Sequence, residues 1–213
     1  MSIQENLQQI NSTLPKHVTL VAVSKTKPVS DLMEAYNAGH RIFGENYVQE
    51  LVDKQPQLPN NVAWHFIGHL QSNKVKYIAP FVSLIHGVDS LKLLQEIDKQ
   101  ALKNNRVIDC LLQVYIAEEE SKFGLDEKEL SEIVSSETFK NLKNIRVIGL
   151  MGMSTFTDNQ QQIEKEFKHL KQIFDKYPNF TTLSMGMSGD YPLAINCGST
   201  MVRIGSSIFG GRK

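Results

Sequence analysis

The chain has 213 residues, and 23 lysines plus arginines balance 23 aspartates plus glutamates, so the formal charge is zero. Apolar residues make up 41% and charged residues 22%, which excludes a disordered chain, since such chains are poorer in apolar residues and lopsided in charge. The balance also lacks the basic excess of a dedicated duplex-binding protein, and the length suits one domain with a sizeable buried core.

The chain opens on a helix. Ile3, Leu7, Ile10 and Leu14 recur at spacings of four, three and four, and Ser2 with Glu5 fits a capping box. The run HVTLVAVSK (17–25) is a β-branched apolar strand, followed by a helix over 29–38 closed by Gly39. RIFGEN (41–46) reads as strand, then a short helix on Val48, Leu51 and Val52. VAWHFIGHL (62–70) reads as strand, then a polar turn and short helix over 72–79. FVSLIHGVD (81–89) is strand, and Leu91, Leu94, Ile97 and Ala101 mark the next helix.

The second half repeats the scheme. VIDCLLQVYI (107–116) is strand, and Asp126 with Glu129 caps a helix to about 136, with Leu125 and Leu130 as a hydrophobic staple. IRVIGLM (145–151) is strand. Thr157 and Gln160 open a helix with Ile163, Phe167, Leu170, Ile173 and Phe174 on one face, stopped before Pro178. TTLSM (181–185) is strand, 189–196 a short helix, TMVRIG (200–205) strand, and a final helical turn ends at FGGRK.

Eight strand–helix units with continuous apolar strands predict a parallel sheet covered by helices. The number predicts an α/β fold: a single (β/α)8 TIM barrel over residues 1–213 with an extra N-terminal helix. Such barrels typically take about 250 residues, so this one is minimal. Met-Gly-Met-Ser occurs at 151–154 and again at 185–188, which reads as chance plus similar barrel corners.

Cys110 and Cys197 are too few for a disulfide framework and read as buried thiols in a reducing compartment. MSIQENLQQI lacks the basic-then-apolar order of a signal peptide. No apolar run approaches the roughly 18 residues needed to span a bilayer. These features predict a cytoplasmic protein with no membrane or nucleic-acid partner.

Function in such barrels sits at the C-terminal strand ends. Those ends here are Lys25, Glu45 with Asn46, His69, His86, Tyr115, Met153, Ser188, and Arg203 with Gly205 and Ser206. Lys25 is either a solvated lysine or an amine partly desolvated at the barrel mouth; the second state frees its lone pair to attack an aldehyde. RIGSS places a glycine and small hydroxyls where the last strand turns into a helix, which suits a phosphate or is a simple glycine turn. Ser188 can add its hydroxyl. Arg203, inward-facing in an apolar strand, needs a partner, either a structural ion pair or a ligand heteroatom. His65 and His69 lack the intervening glutamate of a zinc helix, and GMSGD lacks the second glycine of a nucleophile elbow. Neither a metal site nor a serine hydrolase is expected. Trp64 reads as core.

Together AVSKTK (22–27), FGENYVQE (43–50), WHFIGHLQSNK (64–74), and SMGMSGDYPLAI followed by GSTMVRIGSSIFG resemble the YggS/PROSC family of pyridoxal phosphate (PLP) homeostasis proteins. The blocks span 22 to 210, and their order makes the resemblance specific. It implies PLP as cofactor, bound as a covalent aldimine on Lys25. It also implies a barrel like the N-terminal domain of alanine racemase, with Arg203 at the pyridine nitrogen. Gly205, Ser206 and Ser188 would lie at the phosphate, and Asn46 would face the cofactor. Ser206–Ser207 stand where a threonine–alanine pair is common in the family; the small hydroxyl is kept.

An arginine is no acid at pH 7, so it leaves the pyridine nitrogen unprotonated and weakens PLP as an electron sink. The expectation is a PLP carrier without committed catalysis, with PLP-dependent apoenzymes as candidate acceptors. The alternative is an amino-acid racemase, which needs acid–base groups on both faces of a carbanion. Alanine racemase draws one of these from a partner's second domain. This sequence stops at Lys213, directly after the eighth unit, so it is expected to lack that domain and to be a monomer. A third reading is a phosphosugar-binding barrel without PLP.

Overall fold

Eight parallel strands close into one barrel in chain order: β1 (Thr19–Val23), β2 (Ile42–Glu45), β3 (Ala63–Phe66), β4 (Leu84–Val88), β5 (Ile108–Gln113), β6 (Ile145–Met151), β7 (Thr182–Ser184) and β8 (Met201–Ile204). The computed structural model describes residues 2–118 and 123–211. Closure is made by β8 against β1, in a register that sets Val21 beside Arg203. The expected (β/α)8 barrel is therefore present.

Side-chain alternation sorts each strand into an outer and an inner face. On β1, Leu20 and Ala22 belong to the large core between sheet and helices, with Phe43, Trp64 and Phe66 from β2 and β3. Val21, between them, joins Leu84, Leu111, Met151 and Met201 in a second, smaller cluster that fills the barrel. Fully burying each such large side chain contributes about 1.5–3 kcal/mol. Cys110 and Cys197 are both buried free thiols, and burial raises the pKa of both.

The helices lie outside. They are α1 (Ile3–Thr13), α2 (Val29–Asn37), α3 (Val48–Lys54), α4 (Val75–Ile78), α5 (Leu91–Lys103), α6 (Glu127–Ser135), α7 (Glu137–Lys140), α8 (Gln160–Phe174), α9 (Tyr191–Asn196) and α10 (Ser206–Phe209). The extra helix α1 starts at the expected box: the Glu5 amide donates to Ser2 Oγ and the Ser2 amide to Glu5 Oε2. It packs on α2 and α10, burying Leu7 and Ile10. The Asp126–Glu129 box likewise opens α6.

Several boundaries differ from expectation: most strands are shorter than read, with β1 at Thr19–Val23 against 17–25 and β3 at Ala63–Phe66 against 62–70. The cap of α8 is Asn159, whose Oδ1 accepts from the Gln162 amide; Thr157 instead accepts from the Asn159 amide. Ser136 ends α6 and caps a further turn, α7, through the Phe139 amide. The last turn ends at Phe209, at the start of FGGRK as expected, and Gly210 takes a φ of 77°; Arg212 and Lys213 lie outside the described residues. Among the described residues no helix is long and apolar enough to cross a membrane.

Candidate functional site

A cavity of about 550 Å³ opens at the C-terminal ends of the strands. Lys25, Asn46, Ser188, Arg203, Gly205 and Ser206 all line it. Met153 does too, whereas Glu45, His69, His86 and Tyr115 do not.

The alternation that turns Val21 inward carries on to Lys25, which is half-buried at the cavity. Thr26, next in the chain, has a φ of 63°. A β-branched residue in the left-handed region costs about 1–3 kcal/mol, and such strain persists where the surroundings enforce it. Here the Thr26 amide is bonded to Glu50 Oε1 at 2.6 Å. Lys27 reaches across to the C-terminal end of α10, donating to the carbonyls of Phe209 and Gly211.

Arg203 is 4% exposed and spends its donors on neutral oxygens. Nη1 donates to the Ser184 carbonyl at 2.9 Å and to the Ser184 hydroxyl at 2.6 Å, and Nη2 donates to the Gly152 carbonyl at 3.1 Å. Among the described residues, neutral oxygens rather than an ion pair hold it. Burial lowers its pKa to about 10, with Asp190 opposing, so the guanidinium keeps its charge at neutral pH.

A buried polar chain continues from Ser184. His86 Nδ1 is 3.0 Å from Ser184 Oγ, and His86 Nε2 is 3.0 Å from His65 Nδ1. Burial lowers the pKa of His65 to about 4 and holds His86 well below its usual value, helped by His65 and Arg203. Both rings are neutral at pH 7. Since Arg203 donates to Ser184 Oγ, the serine proton is satisfied by pointing to His86 Nδ1. His86 then donates from Nε2 to His65. His65 and His69 do not converge: His69 lies at the rim, 3.3 Å from Asp89 and stacked on Phe123. Trp64 is core, 3% exposed beside Phe43.

Just past the end of β8, the Gly205 amide donates to Ser188 Oγ at 3.2 Å, which joins the ends of β7 and β8. A Cβ on Gly205 would lie 3.1 Å from the Val23 carbonyl oxygen. The first amides of α10 begin at exposed Ser206 and have no intrahelical acceptors. Asn46 Oδ1 is buried without a hydrogen-bond partner among the described residues, which leaves an acceptor for a ligand.

Sequence reasoning missed the pieces that brace this wall. Asp190 accepts from the Met187 amide and from the Ser154 hydroxyl. Buried Glu166 accepts from both the amide and the hydroxyl of Thr155. Both copies of Met-Gly-Met-Ser end at the cavity, with Ser154 and Ser188 in its lining. The repeat itself was the one available signal.

The whole chain, residues 1–213, matches the family model described as alanine racemase, N-terminal domain. A pyridoxal phosphate homeostasis protein of Haemophilus influenzae is 39% identical, the match covering all of this chain and 97% of the relative. One from Escherichia coli K12 is 40% identical over 93% of this chain and 87% of that protein. The chain belongs to the YggS/PROSC family of pyridoxal phosphate homeostasis proteins. PipY of Synechococcus elongatus, solved with PLP bound, superposes with a TM-score of 0.89 at 35% identity, covering 98% of this chain and all of that one. Alanine racemase of Bartonella henselae shares the barrel alone: TM-score 0.78 and 19% identity, over 98% of this chain and 58% of that chain.

Proposed function

We propose that this protein binds PLP covalently, as a Schiff base on Lys25, and serves intracellular PLP homeostasis by holding and handing on the cofactor. The observation that carries the reading is the convergence of Lys25, Arg203 and the Ser188–Gly205–Ser206 wall on one cavity. PLP carries an aldehyde, a ring nitrogen and a phosphate, and the cavity offers a group suited to each. Lys25 Nζ condenses with the aldehyde, forming a C=N bond and releasing one water. The amides beginning α10 and the small hydroxyls take the phosphate. Arg203, charged and fixed by Ser184 and Gly152, donates to the ring nitrogen. Asn46 offers its unpaired Oδ1 to the ligand. The PLP-bound relative supports the same reading.

Bound PLP supplies an electron sink, strongest when its ring nitrogen is protonated. Arg203 donates a hydrogen bond there without giving up its proton, which disfavours transamination and β-elimination. The test is solvent-deuterium exchange at the α-carbon of amino acids by the loaded protein. Negligible exchange, with transfer of PLP to an apoenzyme, is expected. Exchange at enzyme-like rates contradicts the carrier reading and supports a racemase.

A further inference from the structure

Behind Lys25, on the outer face of the barrel, sits a buried ionic cluster that the cavity does not use. Lys54, the last residue of α3, is 5% exposed, and Glu45, the last residue of β2, is fully buried. Lys54 Nζ lies 2.8 Å from Glu45 Oε1, 2.6 Å from Glu50 Oε1 and 2.8 Å from the Ser24 carbonyl oxygen. Its three donors therefore have three acceptors. The Ser24 hydroxyl adds a bond to Glu45 Oε1 at 2.6 Å. Glu50 Oε1 also accepts from the Thr26 amide at 2.6 Å.

We propose that Lys54, together with Glu45 and Glu50, is the positioning group for Lys25. The Ser24 carbonyl belongs to the peptide plane before Lys25, and the Thr26 amide to the plane after it. A planar peptide leaves each residue only φ and ψ, the rotations relating its two flanking planes. The cluster bonds both planes, so it fixes both angles of Lys25 and with them the exit direction of its side chain. The same bond to Glu50 holds Thr26 at its strained φ of 63°. Stability alone does not account for the cluster. Burying a lysine and a carboxylate is costly, and apolar replacements of similar volume are often neutral or better. Glu45 Oε2 is moreover buried without a partner among the described residues. The cluster does not line the cavity, so it acts through Lys25 rather than on a ligand.

The inference rests on Lys25 being the lysine that takes PLP. The test compares two probes on Lys54→Met and wild type: PLP, and 4′-deoxypyridoxine 5′-phosphate, which lacks the aldehyde. Formation of the Schiff base should slow on the order of tenfold to a hundredfold, as expected for a misplaced reacting group. Binding of the aldehyde-free probe should be unchanged. Equal losses with both probes, or none with either, overturn the proposal. If Lys54→Met does not fold, Glu50→Ala, at a partly exposed position, carries the same comparison through the Thr26 amide. A wild-type protein that forms no Schiff base at Lys25 removes the PLP reading and this inference with it, which sets that failure apart.

Discussion

Arg203 is held by Ser184 twice, through the carbonyl at 2.9 Å and the hydroxyl at 2.6 Å. The serine hydroxyl is also the link from Arg203 to His86. Ser184→Ala removes one charge-assisted bond and leaves the arginine and His86 each short of a partner. Urea unfolding should show a loss of about 1–3 kcal/mol. An unchanged unfolding free energy would contradict this role.

Arg203→Lys keeps a charge but not the planar fork that reaches Ser184 and Gly152 together. PLP retention, measured by dialysis and visible absorption, should weaken moderately, by roughly tenfold or about 1.4 kcal/mol. Retention equal to wild type would mean that the fork geometry is not used.

The two buried histidines give a pH dependence. Unfolded, each takes a proton near 6.5; folded, burial lets His65 do so only near 4 and holds His86 well below its usual value. Between those values the unfolded chain binds more protons, so stability rises with pH. It is lost as pH falls below about 6.5 toward 4, on the order of 3 kcal/mol from His65 alone. The Hε1 signals of His65 and His86 should stay fixed in NMR between pH 8 and 5.5. Titration of all six histidines in that range would contradict their burial as a neutral pair.

Gly68 sits where the end of β3 approaches Asn46. A Cβ there would lie 2.3 Å from the Asn46 carbonyl oxygen, a backbone atom that cannot swing aside. Gly68→Ala should cost about 1–3 kcal/mol in unfolding measurements and displace Asn46 from the cavity wall. A fully stable variant that binds PLP as wild type does would refute this.

The parts of the site legible in the sequence are those that a single strand places. Alternation along β1 and β8 is enough to bring Lys25 and Arg203 to the barrel mouth once closure is assumed. The His65–His86–Ser184 chain was not legible, because its members come from β3, β4 and β7 and meet only inside the closed barrel. Lys54 carries no signal in the sequence, because its partners lie just past β1, on β2 and on its own helix. The cap of α8 fell to Asn159 rather than Thr157 because both are good capping residues, and only the path of the loop decides between them. The positive φ of Thr26 has no sequence signal at all, since a threonine there runs against local preference.

Lys25→Ala should abolish the imine absorption of the PLP-treated protein while leaving the barrel folded by circular dichroism. An unchanged visible spectrum would place the cofactor elsewhere.

The most direct measurement is borohydride reduction of the PLP-loaded protein followed by peptide mapping. Reduction converts the C=N bond to a stable secondary amine, so the label reports the lysine itself. Label confined to the peptide that carries Lys25 is the expected result. Label on any other lysine, or none, contradicts the assignment of Lys25 as the PLP-binding residue.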